Sequence, residues 1–317
     1  MLLDIRAYGD HQAETGWTSE AGELEVYEDL MPFSTLALLM LAALLHSGAH
    51  IALKRATDKL AFTWWQLVAV IVFYSPVLLT FQRDWPPTVW PIVAGSAVAE
   101  AAYFYATSRA YTLGDLSVTY PLARGSAPLF IALWAVLFLR ERPSALGCAG
   151  IVVIALGLFL VNLPSLADIV RPLRGLAQSA SRWALTAGLC IGVYSTLDKV
   201  GVKFVSPLLY IYIILVVTWL LMTPGWWLAG KTNRLALEWS ANKWSAASAG
   251  VAVVGAYTLV LMAMQRSPVS YVGSVREMSV VLTAWVGSAF LGEGKTGLRV
   301  TASALVVVGI LLIATSG

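Results

Sequence analysis

Runs of about twenty mostly apolar residues recur from Phe33 almost to the C-terminus, and nothing else in this chain limits its fold as strongly. At 1.5 Å rise per residue, such a run crosses the roughly 30 Å hydrocarbon core of a bilayer as an α-helix. A transmembrane barrel does not fit, because its strands alternate apolar and polar residues over segments of about ten. With 58% hydrophobic residues, 12% charged ones and a mean hydropathy of +0.74, the chain lies outside the soluble globular range. An all-α integral membrane protein is expected, with the lipid bilayer as its solvent.

Marking the apolar runs between charges and turn residues predicts ten transmembrane helices, at approximately 33 to 53, 62 to 80, 89 to 111, 116 to 139, 144 to 162, 183 to 202, 206 to 229, 245 to 265, 268 to 291 and 297 to 315. Trp64, Trp65, Trp85, Trp90, Trp183, Trp226 and Trp227 gather near their ends, as interfacial aromatics do. Residues 1–30 are different: eight acidic residues against one Arg, with neither a basic nor an apolar signal region. They read as a disordered acidic tail or extension. Cys148 and Cys190 fall inside spans as small packing residues, since two such positions make neither a metal site nor a disulfide framework.

Shifting the sequence against itself by 152 positions places Arg124 on Arg276, Leu139 on Leu291, Glu141 on Glu293, Leu146 on Leu298, Gly157 on Gly309 and Tyr105 on Tyr257. A different offset matches Lys54 with Lys199. The chain is therefore expected to hold two copies of a five-helix unit, over 31–163 and 183–317, joined by a connecting loop at 164–182. Because five is odd, the second copy should enter the membrane inverted, a design common in secondary transporters.

The segment AYTLGDLSVTYPLARGSAPLFIALWAVLFLRERPSALGCAGIVVIALGLFLV and the later SYVGSVREMSVVLTAWVGSAFLGEGKTGLRVTASALVVVGILLIAT resemble the paired EamA domains of the drug/metabolite transporter superfamily. The opening LLHSGAHIALKRATDKLAFTWW is similar to the first span of bacterial members. The resemblance covers nearly everything from Phe33 to Ala314. It implies a multi-pass carrier of the inner cell membrane, moving a small-molecule solute through a central cavity by alternating access. It also implies that both termini face inward, whereas the distribution of Lys and Arg, taken literally, puts them outside.

Arg124 and Arg276 lie deep in their spans, where insertion costs roughly 2.5 to 3.5 kcal/mol each. Each needs a partner or a wet cavity. Two readings are open: contact with substrate, or helix locking by Glu100 and Glu277. Ser117, Tyr120 and Arg124 share one face of span four, as Glu100, Tyr103 and Thr107 share one face of span three. Pro121 and Pro128 cannot donate to the carbonyls four residues before them, which suits a cavity-lining helix. Glu277 is not expected to neutralise Arg276, because adjacent residues diverge on an ideal helix, so Glu100 is the expected partner of Arg124 and a candidate for a coupling proton.

His46 and His50 share a face at i, i+4 but are separated by SGA rather than the spacing of a HExxH site, so a polar cavity wall is expected and no metal. Lys54 and Lys199 stand near span ends, where snorkelling to the interface is the simplest role. Glu141 and Glu293 are expected to cap the helices that follow them.

The first span carries no Glu, unlike small multidrug-resistance relatives, which argues against cationic drug export. The basic positions Arg124 and Arg276 look similar to those that hold phosphate in phosphate-translocator relatives. The expected substrate is thus a small polar metabolite, preferably anionic, since paired guanidiniums suit oxyanions. Export of amino acids or other neutral or zwitterionic metabolites is the alternative. A membrane scaffold and an intramembrane enzyme are more remote. The chain has no GxSxG or HExxH, and Leu113-Gly114-Asp115 lacks the Gly that a GxGD protease places first. No cofactor and no nucleic-acid partner are expected.

Overall fold

A computed structural model describes residues 31–80, 85–114, 116–161, 163, 169, 177–291 and 296–316. The tail expected at 1–30, most of the connecting loop and Glu293 lie outside the described residues. Eleven α-helices are present among them: α1 (Phe33–Arg55), α2 (Lys59–Tyr74, continued by a 3-10 turn Ser75–Thr80), α3 (Val89–Leu113), α4 (Leu116–Leu139), α5 (Ala145–Val161), α6 (Ser179–Gly201), α7 (Pro207–Leu228), α8 (Thr232–Arg266), α9 (Val269–Arg276), α10 (Met278–Leu291) and α11 (Thr296–Ala314). Six segments, in α1, α2 with its 3-10 turn, α4, α7, α8 and α11, are long and apolar enough to cross a membrane. The protein is a multi-pass, all-helical membrane protein.

Local chemistry explains where the helices start and bend. Asp58 accepts hydrogen bonds from the amides of Leu60 and Ala61 and so caps α2. Pro207 opens α7 at a position where no amide is needed. In α8 the backbone leaves helical geometry at Asn242 (φ −134°), whose side chain donates to Glu238 instead. α4 continues through both Pro121 and Pro128.

The span expected to run unbroken from 268 to 291 is instead two helices. Glu277 adopts a tight turn (φ −67°, ψ −4°) in which its amide bonds to Ser274 O, three rather than four residues back. That break sits in the middle of the buried segment and decides the geometry of the site described below.

Helix pairing follows the sequence duplication. α3 packs along α6 as α8 packs along α1; α4 along α6 as α10 along α1; α2 along α8 as α7 along α3. The contact between α5 and α11 is its own counterpart. A Cβ on Gly157 would lie 2.8 Å from Ala302 O, and one on Gly309 would lie 2.7 Å from Gly150 O. Those two approaches interchange under the 152-residue shift, and their pairing runs up one helix while it runs down the other, so α5 and α11 are antiparallel. Large apolar side chains such as Leu44, Phe73, Leu137, Phe138 and Leu311 face outward, as a lipid-exposed surface requires.

The end of the bundle where α1 begins is closed by contacts between the halves. Arg140 takes a left-handed φ of 57° and ends α4, and the carboxylate of Glu141 accepts from Val269 N (2.7 Å), Ser270 N (3.1 Å) and Ser270 Oγ (2.6 Å). Glu141 therefore caps α9 across the repeat rather than the following helix as expected; α5 is capped by Ser144, whose Oγ accepts from Gly147 N. The reason is reach: the left-handed turn aims Glu141 at the orphan amides of the opposite half. Tyr271 Oη accepts from Ser144 N (3.0 Å), again across the halves, while Gln265 donates to Val202 O (2.8 Å) within the second half.

Because a Cβ on Gly157 or Gly309 would strike the facing backbone, Gly157→Ala and Gly309→Ala should each destabilise by about 1 to 3 kcal/mol and by similar amounts. Thermal unfolding of the purified variants checks this; a large effect from only one of the two would break the reciprocity.

Candidate functional site

A cavity of about 140 Å3 lies between the halves and is lined by residues from every helix except α5 and α11, the pair that packs on itself. Its floor is polar. Arg124 from α4 and Arg276 from α9 are both buried, and Glu277, in the helix break, stands between them. Glu277 Oε2 lies 3.3 Å from Arg124 Nη1, and Oε1 lies 3.5 Å from Arg276 Nε. The expected pairing of Arg124 with Glu100 is thus corrected: the partner is Glu277, which also meets Arg276. On an unbroken helix adjacent side chains would diverge; the tight turn at Glu277 removes that restriction.

The remaining guanidinium donors meet phenols and imidazole. Arg124 Nη2 donates to Tyr103 Oη (3.2 Å) and lies 3.5 Å from His50 Nε2. Arg276 Nη2 donates to Tyr194 Oη (3.3 Å), and its Cζ lies 5.7 Å from the Tyr194 ring centre and 5.6 Å from that of Tyr257. Arg276 Nη1 is buried without a hydrogen-bond partner. A buried donor left unmade costs about 1 to 3 kcal/mol, more for a charged group, so this nitrogen is poised to meet an acceptor arriving in the cavity.

Glu100 lines another wall of the same cavity, where Thr218 Oγ1 donates to its Oε2 at 3.4 Å. No Lys or Arg forms an ion pair with it among the described residues. The cavity therefore presents a cationic floor, already shared with one carboxylate, and a separate anionic wall. Between them lie Tyr103, Tyr194 and Tyr257 in a chain of edge contacts, with ring centres 6.2 Å and 6.3 Å apart. Phe104, Leu67, Val70, Ile211 and Leu215 make the rest largely apolar.

The other sequence candidates fall in different places. His46 and His50 line the cavity with rings 4.5 Å apart, and no group of three or more metal-ligating side chains occurs among the described residues. Tyr120 packs over Tyr111 (6.4 Å), to one side of the cavity lining. The side chains of Ser117 and Lys54 lie outside the described residues. Lys199 does not snorkel: its Nζ donates to Met264 O and to Ser267 O (3.0 Å), buried carbonyls at the C-terminal end of α8. Burial among the halves gives it those acceptors closer than any interface.

Asp198 and Tyr194 were not among the candidates. Asp198 is fully enclosed and accepts from Ser96 Oγ (2.5 Å), Tyr210 Oη (3.0 Å) and Tyr257 Oη (2.5 Å). Its signal in the sequence was an acidic residue inside a span, masked by the adjoining Lys199 near a helix end. Tyr257 was visible only as the repeat mate of Tyr105, yet Tyr105 is exposed beside Trp183 while Tyr257 lines the cavity. The duplication preserved the residue and not its environment.

A bundle of apolar helices from two duplicated halves, enclosing a buried polar cavity, is the architecture of a membrane transporter. Residues 33–163 and 178–315 each match the EamA-like transporter family, and the chain belongs to that family. No curated protein matches it. One solved crystal structure superimposes with a TM-score of 0.63, covering 89% of this chain and 96% of its own, at 17% identity; that likeness is one of fold. EamA proteins are transporters rather than enzymes, in keeping with a non-enzymatic role.

Glu277 balances two buried guanidiniums, so Glu277→Ala should destabilise more than Arg124→Ala, by about 3 to 5 kcal/mol for the broken pair. Melting of the detergent-purified variants checks the order; equal losses would mean that Glu277 serves Arg124 alone.

Proposed function

We propose that this protein is a secondary transporter of the cell (inner) membrane that carries a small zwitterionic metabolite of the amino-acid type by alternating access. The reading takes the two halves as five-helix units, ten spans in all, inverted with respect to each other. The reciprocal antiparallel crossing of α5 and α11 supports this, with α9 and α10 counted as one broken span.

One observation supports the zwitterionic class over the anionic one: the place between the two arginines, where a free oxyanion would sit, is taken by Glu277. A second full negative charge there would meet repulsion. A zwitterion avoids it, since its carboxylate needs only the unpartnered Nη1 of Arg276 while its ammonium finds Glu100. Tyr194 and Tyr257 flank the guanidinium, and the apolar lining accepts a hydrocarbon side chain. This replaces the anionic preference with the zwitterionic alternative.

Alternating access requires one end open and the other sealed. The seal at the end where α1 begins, made by Glu141 on α9 and Lys199 on α8, supports a state in which the cavity extends toward the other end. There Leu53 and Thr63, near the α1–α2 turn, join the lining.

Counterflow into proteoliposomes tests the reading. Labelled L-leucine or L-phenylalanine should exchange, and Arg276→Lys should slow exchange about tenfold or more, because a compact ammonium lacks the fixed planar fork that holds Glu277 with Nε while aiming Nη1 into the cavity. Uptake of inorganic phosphate or a phosphate ester without amino-acid exchange would instead assign the site to anions.

A further inference from the structure

Asp198 is a buried carboxylate, and its three described hydrogen bonds all come from neutral hydroxyls. Ser96 reaches it from α3, Tyr210 from α7 and Tyr257 from α8. The charged groups that face it are Glu100 from α3, close enough to repel it, and Arg276 from α9, which attracts it but forms no ion pair with it. Lys199, next in the chain, turns away to the carbonyls of Met264 and Ser267. From α4, Phe130 and Trp134 pack along α6. Asp198 does not itself line the cavity. Tyr257 does, and its phenol is both a donor to Asp198 Oδ2 and a neighbour of the Arg276 guanidinium.

We infer that Asp198 is a proton-binding site coupled to the substrate through Tyr257. The inference rests on the zwitterion reading of the cavity. With Asp198 ionised, the Tyr257 hydrogen is spent on Oδ2. A proton arriving from cavity water binds Oδ2, which then donates to Tyr257 Oη, and the phenol turns its own hydrogen into the cavity. One proton is added and none is lost. The turned hydroxyl supplies a second donor beside Arg276 Nη1 for the substrate carboxylate, and neutralising Asp198 leaves the Arg276 charge less opposed. Both effects act in the same direction: proton and substrate carboxylate strengthen each other's binding, reciprocally. A proton on Asp198 also removes the repulsion that its charge exerts on Glu100, which favours the ionised carboxylate that the ammonium meets. Proton and substrate then cross together.

Ser96 and Tyr210 have the complementary task. Both are fully buried and both hold Oδ1, so the carboxyl group keeps one orientation while Oδ2 gains and loses the proton. A carboxylate with a purely structural role would need no phenol shared with the cavity.

Two measurements on the full-length protein test this. In infrared titration, acidification should raise a protonated-carboxyl band that is absent in Asp198→Asn, and L-leucine at constant pH should raise the same band. In proteoliposomes, leucine affinity should increase about tenfold on acidification of the wild type, within the usual range of coupling, and Asp198→Asn should hold one affinity at all pH values. Tyr257→Phe should keep the acid-induced band and answer leucine more weakly than the wild type, since only the electrostatic coupling of Asp198 to Arg276 is left. Survival of the band in Asp198→Asn would assign the proton to another carboxyl and overturn the inference. If that variant does not fold, a leucine response as large in Tyr257→Phe as in the wild type overturns it equally. Failure of wild type to bind or exchange leucine or phenylalanine would strike the zwitterion reading instead, while the acid-induced band still reports on Asp198.

Discussion

The contact of Glu277 with both arginines is the constraint from which the interior of this carrier is built. Two guanidiniums in the middle of a bilayer-spanning bundle repel one another and lack water, and a single carboxylate compensates both only if it stands between them. An unbroken helix would carry that carboxylate away from its neighbour Arg276. The segment therefore breaks at Glu277, and the cost of interrupted backbone bonding is confined to a cavity wall, where such irregularity is tolerated.

The same position shows why the duplicated halves cannot be equal. Shifted by 152 residues, Glu277 falls on Gly125, where a Cβ would lie 3.2 Å from Phe159 Cβ and 3.3 Å from Ala155 O. A side chain there would press on α5, which would have to give way by a few tenths of an ångström. One carboxylate thus serves two arginines that the repeat made equivalent, and a fourth charge, Glu100, remains on another wall. The lack of symmetry makes the cavity polar from one wall to another, which is what gives a substrate a single orientation.

Much of the fold was legible in the sequence because it follows from spacing and self-similarity. The apolar runs located the helices, the shift of 152 found the two halves, and the depth of Arg124 and Arg276 marked them as the charges needing compensation. What escaped were facts of backbone direction. The periodicity of an ideal helix sent Glu277 away from Arg276, and only the turn at that residue brings it back. Nothing in RERPS reveals that Arg140 turns left-handed and aims Glu141 at α9 rather than α5. Asp198 was hidden because a charge near the end of a span looks like an interface residue until Ser96, Tyr210 and Tyr257 are seen around it.

Hydropathy is least informative where this protein has most to do. The six strongly apolar segments leave out α3 and α6, and also the broken pair α9–α10, whose two pieces are each too short to cross a membrane alone. Those elements carry Glu100 and Tyr103, Tyr194 and Asp198, and Arg276 with Glu277. Helices α3 and α6 pack along each other, so each covers polar atoms that lipid would not solvate: Ser96 of α3 meets Asp198 of α6, and Gly95 leaves space beside Leu197. Their low hydropathy is stable in a membrane because the partner helix, not the bilayer, is their solvent. Apolar residues on the outer faces of α1, α2, α7 and α11, such as Leu44, Phe73, Leu220 and Leu311, shield them. A carrier needs this division, since a binding site must be polar enough to strip water from its substrate and yet enclosed enough to keep lipid out. The least hydrophobic helices are then the ones that only the assembled bundle can hold in place.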